Sequence, residues 1–226
     1  MTRYIVTGSS SGLGFEIAKR LVLAGKNVLG ISRTRGKSDN LLRHDNFSLY
    51  QCDLSLDSDF EAVGSLIECG NDNEIILVLN AGVFDYQTES ETNIISAKEM
   101  FNINYFSAIS LINRFVQRGL TRVFFVNSIS GIIPQSGQGQ YSASKHALQA
   151  YSEVLAKESI HQGFDVMTIN PGGINSELWQ KTNILDNDVT EKFLDPEDLA
   201  NVICTLLSLP KETYIRSMII LPRHDV

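Results

Sequence analysis

Short apolar runs alternate along this chain with longer stretches in which apolar side chains recur every three to four residues. Seven runs are predicted to be buried strands: 3–7, 27–32, 47–52, 75–80, 122–127, 165–169 and 217–221. Amphipathic stretches between them are predicted to be helices: 13–24, 57–68, 96–118, 141–161 and 196–207. Only 34–46 lacks a helical pattern, and we expect a loop there with one short turn near 41–43.

This alternation predicts an α/β fold with a single domain over residues 1–226. Right-handed crossovers between strands give a seven-stranded parallel sheet with helices on both faces, a doubly wound (Rossmann-like) fold. Ligands of such folds bind beyond the carboxyl ends of the strands. Six residues follow those ends and are expected to converge on one crevice: Gly8, Arg33, Asp53, Asn80, Ser128 and Pro171.

Composition and charge narrow the class of protein. Of the 226 residues, 43% are hydrophobic and 20% charged, which suits one continuous core. The formal net charge of −7 argues against a nucleic-acid partner, because phosphates require a basic surface. No apolar run approaches the ~20 residues of a membrane span, and the first strand leaves no room for a signal peptide, so we expect a cytoplasmic protein. Cys52, Cys69 and Cys204 lack metal-ligand spacing, and we predict no metal site.

The first predicted strand runs into a glycine-rich turn that opens a helix, Thr7-Gly8-Ser9-Ser10-Ser11-Gly12-Leu13-Gly14. Gly8 permits a tight turn, Gly12 allows close approach of a pyrophosphate, and Gly14 lets the helix and strand pack together. The N–H groups at a helix N-terminus attract phosphate. This turn is predicted to bind a dinucleotide, with an ordinary turn as the alternative.

A candidate proton-transfer site lies in the second half of the chain. Tyr141 and Lys145 are one helical turn apart and project from the same face. A phenol titrates near ~10 and relays protons poorly at neutral pH unless a cation stabilises its phenolate, a charge that Lys145 can supply. Ser128 precedes them at a strand end. The alternative is a half-buried tyrosine beside a solvated lysine, which the glycine turn makes less attractive.

Together these motifs resemble the short-chain dehydrogenase/reductase family, from Thr7 to about Leu221. The matching positions are, in chain order, Thr7-Gly8-x-x-x-Gly12-x-Gly14, Asn80-Ala81-Gly82, Asn104, Ser128, Tyr141, Lys145 and Pro171-Gly172-Gly173. Two positions depart from the family pattern. Leu79 stands where the family often has another asparagine, and Ser176 stands where a threonine commonly holds the nicotinamide amide.

The resemblance implies an oxidoreductase that transfers a hydride between a nicotinamide and a small carbonyl or secondary alcohol substrate. Tyr141 would give a proton to the carbonyl oxygen, which Ser128 would hold by a hydrogen bond. Lys145 would lower the pKa of the phenol and bind the nicotinamide ribose. Asn104 would kink or hydrate its helix and pass protons from Lys145 to solvent through water. Its alternative role, which does not exclude the first, is that of a buried helix asparagine bonded to a backbone carbonyl.

The end of the second strand predicts the coenzyme. A carboxylate there would bind a ribose 2′-hydroxyl and repel a 2′-phosphate. The chain instead has Ser32 and Arg33, then Arg35 and Lys37, so NADP(H) is predicted over NAD(H), with a solvated polar loop as the alternative. The expected coenzyme contacts are Gly8, Ser10, Ser11, Gly12, Leu13, Gly14, Ser32, Arg33, Asp53, Leu54, Asn80, Ala81, Gly82, Tyr141, Lys145, Pro171, Gly172, Gly173, Ile174 and Ser176. Asp53 resembles the family residue near the adenine amine, with helix capping as an equal alternative.

The segment at about 174–195 is predicted to be a short substrate lid, because it has glycine hinges and few long apolar runs. Trp179 contacts substrate or packs internally on this interpretation. Other candidate pocket residues are Val83, Phe84, Ile129, Ser130, Ile132 and Gln138. Because family members often pair through the helices at 96–118 and 141–161, we expect a homodimer, with a tetramer as the alternative.

Two rival functions share parts of this pattern. Epimerase or dehydratase relatives also use Tyr-x-x-x-Lys, but their glycine spacing usually differs and they carry a larger substrate domain. A non-catalytic NADP(H)-binding sensor or scaffold would keep the crevice alone. The intact set of Ser128, Tyr141 and Lys145 favours the oxidoreductase.

Overall fold

A computed structural model describes residues 2–56, 63, 74–86, 88, 93–180, 192–210 and 212–225. The helix predicted at 57–68 lies outside these ranges except for Val63. The same holds for 181–191 of the predicted lid and for the side chain of Trp179.

Seven parallel strands form one sheet in the order β3-β2-β1-β4-β5-β6-β7. The predicted Rossmann-like fold is therefore confirmed, and most of the predicted strand ends fall within one or two residues of those observed. The order changes direction between β1 and β4, which creates a crevice at their carboxyl ends. The strands are β1 Thr2–Thr7, β2 Asn27–Ser32, β3 Phe47–Gln51, β4 Glu74–Leu79, β5 Leu120–Val126, β6 Asp165–Pro171 and β7 Ser217–Ile220.

Six α-helices belong to the described part of the chain: α1 Gly12–Leu23, α2 Ile94–Phe101, α3 Ser107–Val116, α4 Gly139–Gln162, α5 Glu177–Gln180 and α6 Pro196–Leu207. Helix α6 starts at a strong local signal, because Asp195 accepts hydrogen bonds from the backbone N–H groups of Glu197 and Asp198 and a proline follows it. The helix predicted at 96–118 is two helices, α2 and α3, joined by a π-helical turn at Asn102–Phe106. None of the described helices is both long and apolar enough to span a bilayer.

Apolar side chains fill both faces of the sheet. Leu77, Phe115 and Phe125 lie in a cluster under α3 and α4. Ile17 and Ile203 lie in a second cluster, where α1 and α6 pack on the opposite face. The central strands of the sheet are therefore buried on both faces, as their continuous apolar runs predict.

The loop after β2 differs from its prediction. A 3₁₀ helix spans Gly36–Leu41, whereas the sequence suggested a turn near 41–43. Tertiary bonds explain its place: the Lys37 N–H donates to the Ser10 carbonyl at 2.8 Å, and the Ser38 hydroxyl donates to the Ser9 carbonyl at 2.6 Å. The loop is therefore docked onto the glycine-rich turn.

Candidate active site

A groove of about 740 Å³ opens at the carboxyl ends of the central strands. Of the six residues expected to converge, Gly8, Arg33, Asp53 and Asn80 line it. Ser128 and Pro171 do not, although the Ser128 hydroxyl shares a hydrogen bond with Tyr141, which does. The other expected coenzyme contacts all line the groove except Gly172 and Gly173.

The glycine-rich turn has the shape that a dinucleotide requires. Gly8 and Gly12 have φ values of +70° and +52°, which favour glycine. A Cβ atom at Gly14 would lie 2.3 Å from the Gly8 carbonyl oxygen and 2.4 Å from Asn80 Nδ2, so the helix and the strand ends are in close contact. Ser11 gives the first turn of α1 no side-chain cap, which leaves its N–H groups for phosphate oxygens. These features fit a nicotinamide dinucleotide.

Hydrogen bonds around Thr7 join the ends of β1 and β4. Its Oγ1 accepts from the Asn80 and Ala81 N–H groups at 3.0 and 2.9 Å, and Asn80 Nδ2 donates to the Thr7 carbonyl at 3.0 Å. Leu79, which departs from the family pattern, is 6% exposed and packs in the apolar cluster under α3 and α4. Thr7, Asn80 and the Ala81 N–H thus supply the hydrogen bonds of this junction, and Leu79 contributes apolar packing.

Helix α4 brings Tyr141 and Lys145 to the end of this groove. The Lys145 ammonium lies 5.8 Å from the centre of the Tyr141 ring. The Ser128 hydroxyl hydrogen-bonds the phenol and accepts from the Ser130 N–H at 3.1 Å, which orients it. The ring of Phe84 meets the phenol ring edge-on, with centroids 4.9 Å apart. The three predicted chemical groups therefore lie together against an aromatic wall.

Burial dominates the electrostatics of this trio. Lys145 is 4% exposed, and desolvation lowers the pKa of its ammonium to about 8. Desolvation raises the pKa of the Tyr141 phenol, and the hydrogen bond from Ser128 opposes that rise. The Lys145 ammonium donates to the Val126 carbonyl at 3.4 Å. The expected lowering of the phenol pKa by Lys145 is not seen: burial and the Ser128 hydrogen bond account for the shift. The phenol is consequently protonated at neutral pH.

Asn104 lies in the π-helical turn between α2 and α3, where the sequence predicts an irregular helix. Its Oδ1 accepts from the Val83 N–H at 2.8 Å, and its Nδ2 donates to the Val83 carbonyl at 2.9 Å and to the Ser144 hydroxyl at 3.1 Å. Ser144 directly precedes Lys145. Asn104 therefore links the segment after Gly82 to the helix that carries Tyr141 and Lys145, a contact that the sequence did not reveal.

The basic residues after β2 have different surroundings. Arg33 and Lys37 line the groove, whereas Arg35 pairs with Asp39 at 3.5 Å on the surface. Ser32 is buried and its hydroxyl donates to the Thr34 carbonyl at 2.7 Å. Two cations thus face the groove where a 2′-substituent of an adenosine ribose would lie.

A salt bridge that is not predictable from the sequence joins Lys37 to Glu177, with 3.5 Å between Nζ and Oε1. Both side chains line the groove and are half exposed. The pair joins the loop after β2 to helix α5, which begins at Glu177 and lies within the predicted lid.

Asp53 closes a local turn beside the groove, while the helix that it was predicted to cap lies, apart from Val63, outside the described residues. Its Oδ1 accepts from the Ser55 N–H at 2.9 Å and from the Ser55 hydroxyl at 2.8 Å, so it closes a local turn. The hydrogen bond from the backbone N–H of Ser55 lowers the pKa of the carboxyl. The residue also lines the groove.

The two ends of the predicted lid meet beside the groove. The Asn175 N–H donates to the Leu194 carbonyl at 2.9 Å, and the Leu194 N–H donates to the Gly173 carbonyl at 2.8 Å. The ring of Phe193 covers Gly173, where a Cβ atom would lie 2.6 Å from it. The start of the lid lines the groove through Ile174, Ser176, Glu177 and Leu178.

Comparison with known proteins gives one family. The family model described as short chain dehydrogenase matches residues 3–186. The human dehydrogenase/reductase SDR family member 11 is 28% identical over 246 residues, covering 98% of this chain and 94% of that protein.

Solved structures share the fold over nearly the whole chain. The closed form of serine dehydrogenase complexed with NADP⁺ has a TM-score of 0.85 at 21% identity, covering 96% of this chain and 94% of that one. The 4-hydroxyisoleucine dehydrogenase complexed with NADH has a TM-score of 0.87 at 20% identity, covering 98% of each chain.

Proposed function

The chain belongs to the short-chain dehydrogenase family of oxidoreductases, and from that premise we propose that it reduces small carbonyl compounds with NADPH, using Tyr141 as the proton donor. One observation carries this proposal. Tyr141 and Lys145 line the same groove as the glycine-rich turn, and the Ser128 hydroxyl hydrogen-bonds the Tyr141 phenol.

The groove residues fit the two ends of a dinucleotide. The turn from Gly8 to Gly14 would hold the pyrophosphate, and Lys145 would bind the nicotinamide ribose. A bound nicotinamide coenzyme supplies the hydride. The chain itself supplies binding, orientation and the proton.

Protonation of the phenol favours the reductive direction. Because burial raises the pKa of Tyr141, its hydroxyl keeps its proton at neutral pH and is available to a carbonyl oxygen. Ser128 provides the second donor to that oxygen, and losing such a donor typically costs ~3 kcal/mol of transition-state stabilisation. The ammonium of Lys145, with a pKa of about 8, remains largely charged at pH 7 and lies 5.8 Å from the centre of the phenol ring.

Arg33 supports a preference for NADPH, because its cation lines the groove and would face a 2′-phosphate. Lys37 also lines the groove and would contribute once it leaves Glu177, its partner at 3.5 Å. The fold alone does not set the preference, since similar structures hold NADP⁺ in one case and NADH in another. The substitution Arg33→Asp should invert the ratio of kcat/KM for the two coenzymes, and Arg35→Asp, whose arginine pairs on the surface, is the matched control. Equal use of both coenzymes by the wild type would contradict the preference.

The wall beside Tyr141 supports a substrate with an apolar substituent. Phe84 packs edge-on against the Tyr141 ring, and Val83, Ile174 and Leu178 also line the groove. An apolar group on the substrate would lie against them and direct its carbonyl towards the two hydroxyl donors.

Exposed apolar side chains on the helices support a homodimer. Phe106 lies between α2 and α3, Val154 lies on α4, and both are about half exposed. Sedimentation velocity checks this, and a monomer across the concentration range would contradict it.

A panel of ketones, aldehydes, diketones and quinones with NADPH and NADH tests the proposed activity. We expect NADPH oxidation with some members and faster turnover with NADPH than with NADH. Binding of NADPH without turnover of any member would favour the coenzyme-binding sensor instead.

A further inference from the structure

A closed ring of polar side chains joins helix α4 to the ends of three strands. Asn127 Nδ2 donates to Gln149 Oε1 at 3.0 Å and to Asn170 Oδ1 at 2.9 Å. Asn170 Nδ2 donates to the Ser217 hydroxyl at 3.2 Å. Gln149 Nε2 donates to Glu153 Oε1 at 2.8 Å, and Glu153 pairs at 3.9 Å with Arg216, the residue before Ser217.

Glu153 sets the donor and acceptor direction of the hydrogen bonds through Gln149 to Asn127. A carboxylate only accepts, so Glu153 holds the amide nitrogen of Gln149 and turns its oxygen towards Asn127. Asn127 must then present its nitrogen to Gln149, and that nitrogen uses both of its protons within the ring. Its oxygen, Oδ1, is buried and has no hydrogen-bond partner.

Asn127 lies at the centre of the catalytic geometry. It directly precedes Ser128, it is 4% exposed, and it lines the groove. Gln149 is one helical turn beyond Lys145 on α4. The backbone of Gly131 packs tightly against both residues, because a Cβ atom added at Gly131 would lie 2.7 Å from Asn127 Nδ2 and 2.7 Å from the Lys145 carbonyl oxygen.

Resting on the proposed function, we propose that Asn127 is a positioning residue that fixes Tyr141 and Lys145 relative to Ser128. The ring holds α4 against β5 and β6, and it leaves Asn127 Oδ1 as an acceptor that one water molecule would link to the Lys145 ammonium. The Lys145 ammonium already donates to the Val126 carbonyl, the neighbouring residue. Correct placement matters, because a shift of about 1 Å in such a constellation can cost about a hundredfold in rate.

The substitution Asn127→Asp tests the ring by replacing the donor amide of Asn127 with a carboxylate, which only accepts hydrogen bonds. The carboxylate cannot donate to Gln149 or Asn170. Asn170 can turn its amide round, because the Ser217 hydroxyl both donates and accepts, but Gln149 cannot while Glu153 holds its nitrogen. A second substitution, Glu153→Gln, frees Gln149 to turn and should restore the contact.

We expect Asn127→Asp to lower the thermal midpoint and to lower kcat at least about tenfold, while the Kd for NADPH changes less than about threefold. Glu153→Gln alone should leave kcat within about twofold. The double variant should recover most of the lost midpoint and return kcat to within about threefold of the wild type.

Ile203→Ala is the control for destabilisation alone. Ile203 is fully buried under α1 and α6, on the face of the sheet opposite α4. Ile203→Ala should therefore lower the thermal midpoint and leave kcat unchanged. The proposal is overturned if Asn127→Asp also keeps kcat, or if Glu153→Gln gives no recovery in the double variant. Should Asn127→Asp fail to fold, Gln149→Met removes the same contact from the helix side and should lower kcat, with no recovery from Glu153→Gln.

The stability part of this cycle needs no substrate. If the wild type reduces no carbonyl compound, the proposed function has failed, while recovery of the thermal midpoint in the double variant still decides whether the ring exists.

Discussion

The substitution Gly14→Ala gives a direct test of how the glycine-rich turn is built. The added Cβ atom would lie 2.3 Å from the Gly8 carbonyl oxygen and 2.4 Å from Asn80 Nδ2. Neither neighbour is free to yield, because Asn80 Nδ2 donates to the Thr7 carbonyl and Gly8 has a φ of +70°. Helix α1 must therefore shift away from the strand ends.

The size of the effect follows from two opposing contributions. Overpacking of a buried site typically costs about 1–3 kcal/mol. Replacing glycine by alanine within a helix raises the free energy of unfolding by up to about 1 kcal/mol. Because the clash at 2.3 Å is with backbone, the cost is at the upper end of this range, about 2–3 kcal/mol. The net loss of about 1–2 kcal/mol should lower the thermal midpoint by about 2–8 °C in a chain of this size. The displaced N–H groups should weaken NADPH binding at least about tenfold.

Gly139→Ala is the matched control, since Gly139 also lies in the first turn of a helix but a Cβ atom there meets nothing within 4 Å. It should leave the midpoint unchanged or higher and leave NADPH binding unchanged. Thermal unfolding and titration of NADPH fluorescence measure both quantities. Equal behaviour of the two alanine variants would refute the close approach of Gly14 to Gly8.

Three further predictions concern buried side chains. Burial lowers the pKa of the Lys145 ammonium from 10.5 to about 8, so the wild type loses stability as pH falls from 10.5 to 8. Lys145→Met removes this buried charge and should therefore be more stable than the wild type by about 3 kcal/mol at pH 7. In urea unfolding this gap should close towards pH 10, and a constant gap would contradict it. Asn104→Leu leaves the Val83 N–H and carbonyl unpaired and should cost about 2–4 kcal/mol, whereas an unchanged urea midpoint would show that these bonds contribute nothing. Leu79→Asn, the residue common in the family, should cost about 2–4 kcal/mol because Leu79 packs in an apolar cluster, and a gain in stability would contradict that.

Elements with local signals are predictable from the sequence. Strand β2 is a continuous apolar run, and its predicted ends match the observed Asn27–Ser32. Helix α6 also matches, because Asp195 and the following proline mark its start. The glycine-rich turn and the spacing from Ser128 to Tyr141 likewise identify the groove without coordinates.

Features that depend on distant contacts are not predictable in this way. The 3₁₀ helix at Gly36–Leu41 lies where Ser9 and Ser10 bind it. The direction of the pKa shift at Tyr141 depends on burial, which the i,i+4 spacing with Lys145 does not report. Asn127 looked like an ordinary strand end, since its partners Gln149 and Asn170 come from other elements.

The most direct test of the proposed function is turnover by the Tyr141→Phe variant, with Tyr151→Phe on the same helix as its control. Both should fold and bind NADPH like the wild type. With a carbonyl compound that the wild type reduces, Tyr141→Phe should lose at least about a hundredfold in kcat, and Tyr151→Phe should keep it. Near-wild-type turnover by folded Tyr141→Phe would contradict the assignment of this phenol as the proton donor.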